Sequence, residues 1–339
     1  MSTITEYLEI ILEGNDLTFE QAEALLNTIF EGGVANVQIA AFLAAMHLKK
    51  ASVSELAGLA KSLREHAVKV NVDADNLVDT CGTGGAPLKT FNISTAAAIV
   101  AGGAGVRVAK HGNRGITSKC GSADVLEQLC VNIQAGPDVV ARCIRQANIG
   151  FMFAPKFHPA MKLVQPIRKS LDFRTAFNVL GPLANPANVG AQVIGVAEGS
   201  LAQRIAGTLK ALGTKRAFVV HSQGLDEIST MAPTKVIELK EGRLSNMELD
   251  PRQYGIEFVD LEALQGGDVA DNAEIIRAIL KGDEKGARKD IVVLNAAAAI
   301  IVSGLADDFG SAIKSAEQSI SSGSALGCLE KLAEISNKD

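Results

Sequence analysis

Apolar residues recur at intervals of three and four through the first part of the chain, the spacing of one face of an α-helix. They include Tyr7, Ile10, Ile11, Ala22, Leu25, Leu26 and Ile29. Gln21 follows Thr18 in the pattern of a capping box, and Gly32 with Gly33 interrupts the periodicity. Because no stretch here alternates like a strand, residues 1–70 are predicted to form a small helical domain.

Short apolar runs alternate with helical patterns after residue 70. The runs that we interpret as strands are 77–81, 106–109, 150–155, 191–196 and 217–221. Strands separated by helices are typical of parallel sheets with crossover connections. Residues 71–339 are therefore predicted to form a larger α/β domain with a mostly parallel central sheet.

Three other segments refine this picture. Segment 164–171 contains Pro166 and is predicted to separate two flanking helices. The Pro and Gly residues of 181–186 predict a linker or hinge between the domains. The apolar run Ile291–Ala306 is shorter than the ~20 residues that span a bilayer, so a buried helix is predicted there.

Composition and charge exclude several classes of protein. The net charge is −5, whereas general nucleic-acid binders carry a basic excess. The five cysteines are odd in number and lack C-x-x-C spacing, which favours free thiols in a reducing compartment. Acidic residues from Glu6 to Glu13 stand where a signal peptide needs a basic start and an apolar run. We expect a cytoplasmic protein that binds neither nucleic acid nor membrane.

A glycine-rich turn, Gly82-Thr83-Gly84-Gly85, lies between a predicted strand and a predicted helix. Glycines let backbone N–H groups approach an anion, although a short glycine motif fits an ordinary turn equally well. Asn92, Ser94 and Thr95 follow at the predicted helix start, where unpaired N–H groups favour phosphate. Plain N-capping would need only one of these side chains, so we predict a phosphate cradle.

The basic segment Lys110–Lys119 follows the second predicted strand. It has two glycines and no acidic residue, which favours an anion clamp over a solvated loop. Another helix is predicted to begin near Ser122. Two such cradles suit a ligand with phosphates at two ends. Because neither a Walker loop nor a dinucleotide fingerprint is present, we predict a phosphorylated sugar, with or without a diphosphate.

The remaining candidates are less specific. The pair Asp226-Glu227 follows a predicted strand and suits a magnesium ion, but exposed acidic pairs are common. Arg168 is either a carboxylate-binding arginine or a surface residue. His111 and His158 belong to no pattern of a covalent nucleophile. No catalytic residue is therefore predicted.

The chain resembles the anthranilate phosphoribosyltransferase family in a series of motifs that occur in the family's order. They are Gly82–Gly85, Lys89–Thr95, Lys110–Arg114, Gly121–Glu127, Phe153–Pro155, His158–Met161, Arg168–Lys169, Arg174–Thr175, Phe177–Leu183 and Asp226–Glu227. The resemblance implies a small helical domain and a larger α/β domain of the nucleoside phosphorylase and phosphoribosyltransferase type, with a segment near 164–186 returning to the helices. It also implies a homodimer formed largely through the helical domain. An anthranilate synthase amidotransferase subunit is a further candidate partner.

The resemblance implies that the chain transfers the phosphoribosyl group of 5-phosphoribosyl 1-diphosphate to anthranilate, a step of tryptophan biosynthesis. The implied donor-binding residues are Gly82, Gly85, Ala86, Thr90, Asn92, Ile93, Ser94, Thr95, Lys110, His111, Gly112, Asn113, Arg114, Gly115, Ile116, Thr117, Ser118 and Ser122. Those implied for anthranilate are Gly82, Asn113 and Arg168, with His158, Gly181 and Pro182 along its approach route. Up to two Mg²⁺ ions per monomer are implied, with Ser94, Asp226 and Glu227 as ligands.

One residue departs from the family pattern. The family usually has Asp after the two glycines, where this chain has Ala86, which puts in question the number of magnesium ions more than the reaction. Two other readings remain open at this stage. One is an enzyme like a pyrimidine nucleoside phosphorylase, which would bind free phosphate and a nucleoside, and the other is a non-catalytic phosphosugar-binding protein.

Overall fold

The N-terminal part of the chain is helical in the computed structural model, which describes residues 3–72, 76–115 and 119–338. The helices are α1 (Ile4–Leu12), α2 (Phe19–Glu31), α3 (Asn36–Lys49) and α4 (Val53–Glu65). The predicted capping box is confirmed, since the Gln21 N–H donates to Thr18 Oγ1 at 3.2 Å and the Thr18 N–H donates to Gln21 Oε1 at 2.9 Å. Leu25, Phe42 and Leu59 are fully buried where these helices meet.

The rest of the described chain alternates strands and helices. The elements are β1 (Val78–Gly82), α5 (Ile93–Gly103), β2 (Val108–Gly112), α6 (Ser122–Gln128), α7 (Pro137–Ala147), β3 (Ile149–Phe153), α8 (Ala154–Phe157), α9 (Gln165–Leu171), α10 (Phe177–Leu180), β4 (Ala191–Gly195), α11 (Gly199–Ala211), β5 (Arg216–His221), β6 (Thr234–Lys240), β7 (Arg243–Leu249), α12 (Val269–Lys281), α13 (Ala287–Ser303), α14 (Phe309–Ser321) and α15 (Ser324–Ser336).

The strands form one sheet of seven in the order β3-β2-β1-β4-β5-β6-β7. β1 to β5 pair in parallel, with Val78 opposite both Val108 and Ala191, whereas β6 and β7 are antiparallel. The predicted fold class, a small helical part and a larger α/β part with a mostly parallel sheet, is confirmed. The β6–β7 hairpin was not predicted as such.

The predicted buried helix within the late apolar run is confirmed as α13. Its residues from Ile291 to Ser303 are all buried, and it packs against α5 and the sheet. Alanines at 296–299 let neighbouring backbones approach closely. None of the helices in the described ranges combines the length and the apolar composition needed to cross a bilayer.

Two local predictions were wrong. Segment 164–171 does not separate two helices but itself contains α9, because Pro166 stands in the first turn, where its missing N–H costs nothing. The strand predicted for 150–155 ends at Phe153, because the short helix α8 begins at Ala154 and has Pro155 in its first turn. Segment 181–186 begins with a 3₁₀ turn, and its residues 182–186 are buried. Its role as a linker or hinge stays a prediction.

The stretch that contains α9 and α10 packs on the N-terminal helices. Val164, Ile167, Phe177 and Leu180 belong to the same apolar cluster as the buried faces of α2, α3 and α4. Arg64 on α4 also donates from Nε to the Leu183 carbonyl at 2.7 Å. The side chains of this stretch therefore extend from the N-terminal helices towards the sheet.

Candidate functional site

The order of the strands reverses between β1 and β4, so the two neighbouring connections leave the sheet in opposite directions. Ligands of open α/β sheets bind beyond the carboxyl ends of the strands at such a switch point. The glycine turn after β1, the segment 113–121 after β2 and the segment 222–233 after β5 all begin at this edge. We call the group formed by the glycine turn, the start of α5 and the pair Asp226-Glu227 the switch-point site.

The glycine turn leaves room for Asp226. A Cβ atom built on Gly82 would overlap Asp226 Oδ2 and lie 3.2 Å from its Cγ, and one on Gly195 would lie 3.0 Å from Asp226 Cα. Gly84 and Gly85 have φ values of 66° and 75°, which residues with a side chain rarely adopt. Asp226 therefore lies against the ends of β1 and β4, which lack side chains there.

Glu227 contacts the start of α5, where the Ser94 N–H donates to its Oε1 at 3.2 Å. Burial, and then the neighbouring Asp226, raise the pKa of the Glu227 carboxyl to about 8, and burial raises the pKa of Asp226. Both side chains are only partly exposed, so this is not the ordinary exposed acidic pair that the sequence left open. A cavity of about 10 Å³ lies beside Glu227, Ser94 and Thr80.

Lys110 lies in β2 and points into the interior, not towards the loop that follows. Its side chain is 2 % exposed, and Nζ donates to the Thr80 carbonyl at 2.6 Å. Burial lowers the pKa of its ammonium group, while Asp79 and Glu227 act in the opposite direction. Lys110 therefore lies buried beneath the switch-point site and not in the loop after β2.

The positive charge of the loop after β2 is balanced by acidic residues that lie outside the loop. Arg114 Nη1 donates to Asp124 Oδ1 at 2.8 Å and to Glu127 Oε2 at 2.9 Å, both on α6. The Gly115 N–H donates to Asp124 Oδ2 at 2.9 Å. The inference that nothing balances the loop's cations was therefore wrong for Arg114, because helix α6 packs back on the loop.

The other predicted donor residues lie in and after β2, at the start of α5 and in the segment between the glycine turn and α5. Gly112, Asn113 and Ser122 lie together, since Ser122 Oγ donates to the Asn113 carbonyl at 3.3 Å and a Cβ on Gly112 would overlap Ser122 Oγ. Ile93 and Thr95 have buried side chains at the start of α5, and their N–H groups donate to the Phe91 carbonyl at 2.8 Å and to the Asn92 carbonyl at 3.2 Å.

Asn92 links the start of α5 to the loop after β2, because its Nδ2 donates to the Cys120 carbonyl at 3.2 Å. Ala86 is buried and its carbonyl accepts from Lys89 Nζ at 2.8 Å, while Thr90 is half-buried. The predicted residues Ile116, Thr117 and Ser118 lie outside the described residues.

Of the residues predicted for the acceptor, His158 and Gly181 lie next to His111, a predicted donor residue. His111 and His158 face each other with ring centroids 5.0 Å apart, and His111 Nδ1 is 3.3 Å from the Gly181 carbonyl oxygen. Burial lowers the pKa of His111 to about 3 and that of His158 to about 4, so both rings are neutral near pH 7. The Pro182 carbonyl accepts from buried Gln192 Nε2 at 2.7 Å.

Arg168 is half-buried on α9 and stacks over the Phe177 ring, with Cζ 5.5 Å from the ring centroid. It donates only weakly, to Gln165 Oε1 at 3.3 Å and to Asn178 Oδ1 at 3.4 Å. Within the described ranges no carboxylate pairs with it, and burial lowers the pKa of its guanidinium. Such an arginine can still bind a carboxylate.

The chain matches known protein families over nearly its whole length. The helical bundle domain of a glycosyl transferase family matches residues 5–67, and the a/b domain of that family matches residues 74–326. The anthranilate phosphoribosyltransferase of Herpetosiphon aurantiacus is 48% identical over 98% of this chain and 99% of its own. The chain belongs to the anthranilate phosphoribosyltransferase family. The resemblance read from the motifs is thus confirmed.

Other members of the anthranilate phosphoribosyltransferase family agree in sequence and in fold. That of Chloroflexus aggregans is 48% identical over 98% of both chains. The crystal structure of the Thermus thermophilus enzyme superposes with a TM-score of 0.93 at 37% identity, covering 98% of this chain and 99% of that one. The Saccharomyces cerevisiae enzyme in complex with PRPP and Mg superposes with a TM-score of 0.89 at 28% identity, covering 98% and 97%.

Several residues around the site of this family member escaped the sequence analysis. Arg174 was noted without a role, yet its Nη2 donates to the Gly84 carbonyl at 3.3 Å and its Cζ would lie 2.7 Å from a Cβ on Gly85. Asp79 is fully buried and accepts from the His111 N–H at 3.2 Å and from Asn185 Nδ2 at 2.8 Å. An acidic residue within an apolar strand, as Asp79 is, could have signalled such a network.

Proposed function

We propose that this chain transfers the phosphoribosyl group of 5-phosphoribosyl 1-diphosphate to the amino group of anthranilate. The products are N-(5-phosphoribosyl)anthranilate and diphosphate, and the step belongs to tryptophan biosynthesis. The observation that carries the proposal is the meeting of two groups at one sheet edge in a member of this family. These are the glycine turn with the start of α5, and the pair Asp226-Glu227.

The donor's phosphates would bind to the glycine turn, to the Ser94 hydroxyl at the α5 start and to the loop after β2. Displacement of diphosphate builds positive charge on the sugar ring and negative charge on the leaving group. Groups that are already oriented towards such charges stabilise the transition state without reorganising. Lys110, 2 % exposed, lies beneath these groups.

Ser94, Asp226 and Glu227 would hold Mg²⁺. A hydroxyl and two carboxylates are oxygen ligands of the kind that this ion prefers. Burial raises the pKa values of Asp226 and Glu227 because the neighbouring cations do not fully compensate their negative charge. When bound, the ion neutralises diphosphate charge. The comparisons support a magnesium requirement, because the Saccharomyces cerevisiae enzyme forms a complex with PRPP and Mg.

We propose up to two Mg²⁺ ions per monomer, of which these three side chains hold only one. Ala86 supplies no carboxylate beside the glycine turn, and its carbonyl already accepts from Lys89 Nζ at 2.8 Å. A second ion would therefore depend on the donor's own oxygens. Isothermal titration with Mg²⁺ in the presence and absence of donor measures the number of ions bound.

Arg168 would bind the anthranilate carboxylate, and Gly82 and Asn113 would lie close to the ring. The approach route would be lined by His158, Gly181 and Pro182. An aromatic amine is neutral near pH 7 and needs positioning more than deprotonation. The low pKa values of His111 and His158 leave both rings uncharged near pH 7. Catalysis would then rest on positioning and electrostatics, with no general base.

A direct assay tests the proposal. Purified protein, donor, anthranilate and Mg²⁺ should consume the fluorescence of anthranilate and yield the phosphoribosyl product, and chelation of the metal should stop the reaction. Phosphate-dependent cleavage of a pyrimidine nucleoside without anthranilate transfer would instead support a nucleoside phosphorylase. Binding of the donor without any turnover would support a phosphosugar-binding protein.

We also propose a homodimer formed through the N-terminal helices. Leu12 on α1 and Val37 and Leu48 on α3 are 71%, 74% and 82% exposed, and large apolar side chains exposed on the same helices are candidates for an interaction surface. Light scattering should give twice the chain mass for the parent protein. Replacing Leu48 with Glu should shift the mass towards the monomer, whereas Leu305→Glu, at an apolar residue that follows α13 and is 58% exposed, should not.

A further inference from the structure

Asn295 is a polar side chain in the apolar helix α13, and it is 3 % exposed. Its Nδ2 donates to the carbonyls of Ile228 and Ile291, both at 2.8 Å. Its Oδ1 accepts from the Ile228 N–H at 2.9 Å. One carboxamide thus satisfies both backbone polar groups of Ile228, a residue whose side chain is fully buried.

This clamp lies directly after the carboxylate pair. Ile228 follows Glu227 in a segment without regular secondary structure, so no ladder of a sheet or turn of a helix fixes its backbone. Asn295 also lines the cavity of about 10 Å³ that borders Ser94, Glu227 and Thr80. The amide therefore holds the segment from the same side on which Glu227 meets the start of α5.

We propose that Asn295 is a positioning residue for Asp226 and Glu227. An amide buried in an apolar helix is unfavourable unless it is hydrogen-bonded. Here all three hydrogen bonds of the amide are made with backbone groups. α13 is a rigid, buried support of the kind that keeps a site's geometry constant. The inference deepens the proposed function, because it rests on these two carboxylates holding Mg²⁺.

The first test replaces Asn295 with Ala and measures the Mg²⁺ dependence of the transfer. Loss of partners that orient metal ligands typically weakens metal binding by ~10–100-fold. We expect half-saturating Mg²⁺ to rise about tenfold, with the KM for anthranilate within about twofold of the parent value and with kcat largely restored by excess Mg²⁺.

A matched control separates positioning from a general loss of packing. Ser303 lies on the same helix, is buried and donates to the Ile300 carbonyl at 2.7 Å. Ser303→Ala should leave the half-saturating Mg²⁺ unchanged. An unchanged Mg²⁺ dependence in Asn295→Ala, or an equal rise in the control, overturns the inference.

A second measurement does not depend on activity. Asn295→Asp keeps the size of the side chain and an oxygen for the Ile228 N–H. A carboxylate donates no hydrogen bond and a carboxylic acid has one O–H, so at least one of the two bonds to the carbonyls is lost. Hydrogen exchange should become faster in peptides covering 225–231, while those covering α13 and β6 keep their protection. Unchanged exchange at 225–231 overturns the inference. A parent protein without transferase activity would contradict the proposed function, yet this measurement would still test the clamp.

Discussion

The contact between Gly82 and Asp226 makes Gly82→Ala a sharp test of the site. Gly82 ends a strand and has no left-handed φ, so alanine fits its backbone. The added Cβ would overlap Asp226 Oδ2 and lie 3.2 Å from its Cγ, against the ordinary ~3.5–4.0 Å between carbon atoms. The carboxylate would have to move by about 1 Å.

A displacement of about 1 Å in a catalytic arrangement can cost ~100-fold in rate, or ~2.7 kcal/mol of transition-state stabilisation. We expect kcat/KM for the donor to fall about 100-fold in Gly82→Ala and half-saturating Mg²⁺ to rise. Steady-state kinetics at several Mg²⁺ concentrations measures both. Gly136→Ala is the matched control, because a Cβ there meets no atom within 4 Å.

A double-mutant cycle decides whether the effect acts through Asp226. Asp226→Ala removes the overlapping carboxylate, so adding Gly82→Ala to it should cost little more, whereas independent effects would multiply. The reasoning is refuted if Gly82→Ala stays within about threefold of the parent kcat/KM, or if the double variant loses the product of the two single losses.

Three further predictions concern the acceptor side. Arg168→Ala should raise the KM for anthranilate about 30-fold, as expected for the loss of ~2 kcal/mol of charge-assisted hydrogen bonding, with the donor KM nearly constant. Lys169→Ala is the exposed control, and equal acceptor constants in parent and Arg168→Ala would contradict the assignment. The pKa of His158 is lowered to about 4 by burial, so its contribution to stability is complete above the unfolded value of ~6.5 and is lost as pH falls towards 4. Between pH 7.5 and 5.0 the parent should therefore lose ~2 kcal/mol more unfolding free energy than His158→Gln in urea titrations, and parallel losses would refute this. Because donor and acceptor groups lie on different parts of the chain, we expect the two parts to close when both substrates bind, and identical interdomain angles in ligand-free and doubly liganded crystals would contradict it.

Local patterns predicted much of the fold because their causes are local. The capping box at Thr18 needs only the next few residues, and the apolar run around Ile291 has to be buried wherever it lies. The glycine turn was found because Gly84 and Gly85 adopt conformations that few other residues tolerate. The predictions around the prolines at 155 and 166 were wrong, since a proline in the first turn of a helix is allowed whereas one in its interior is not.

Only the tertiary structure decided the charges and partners at the site. From the sequence alone, Asp226 and Glu227 could be an ordinary exposed acidic pair. In the fold, Ser94 contacts Glu227 although the two residues are 133 positions apart. The sequence predicted Arg114 to be a cation without an acidic partner, whereas in the fold α6 packs against its loop and supplies two. A side chain's burial and electrostatic partners depend on segments distant in sequence, and the pKa of a group follows from both. The residue types and their order therefore determined the family and the elements, while packing determined which of those residues meet and in what state of charge.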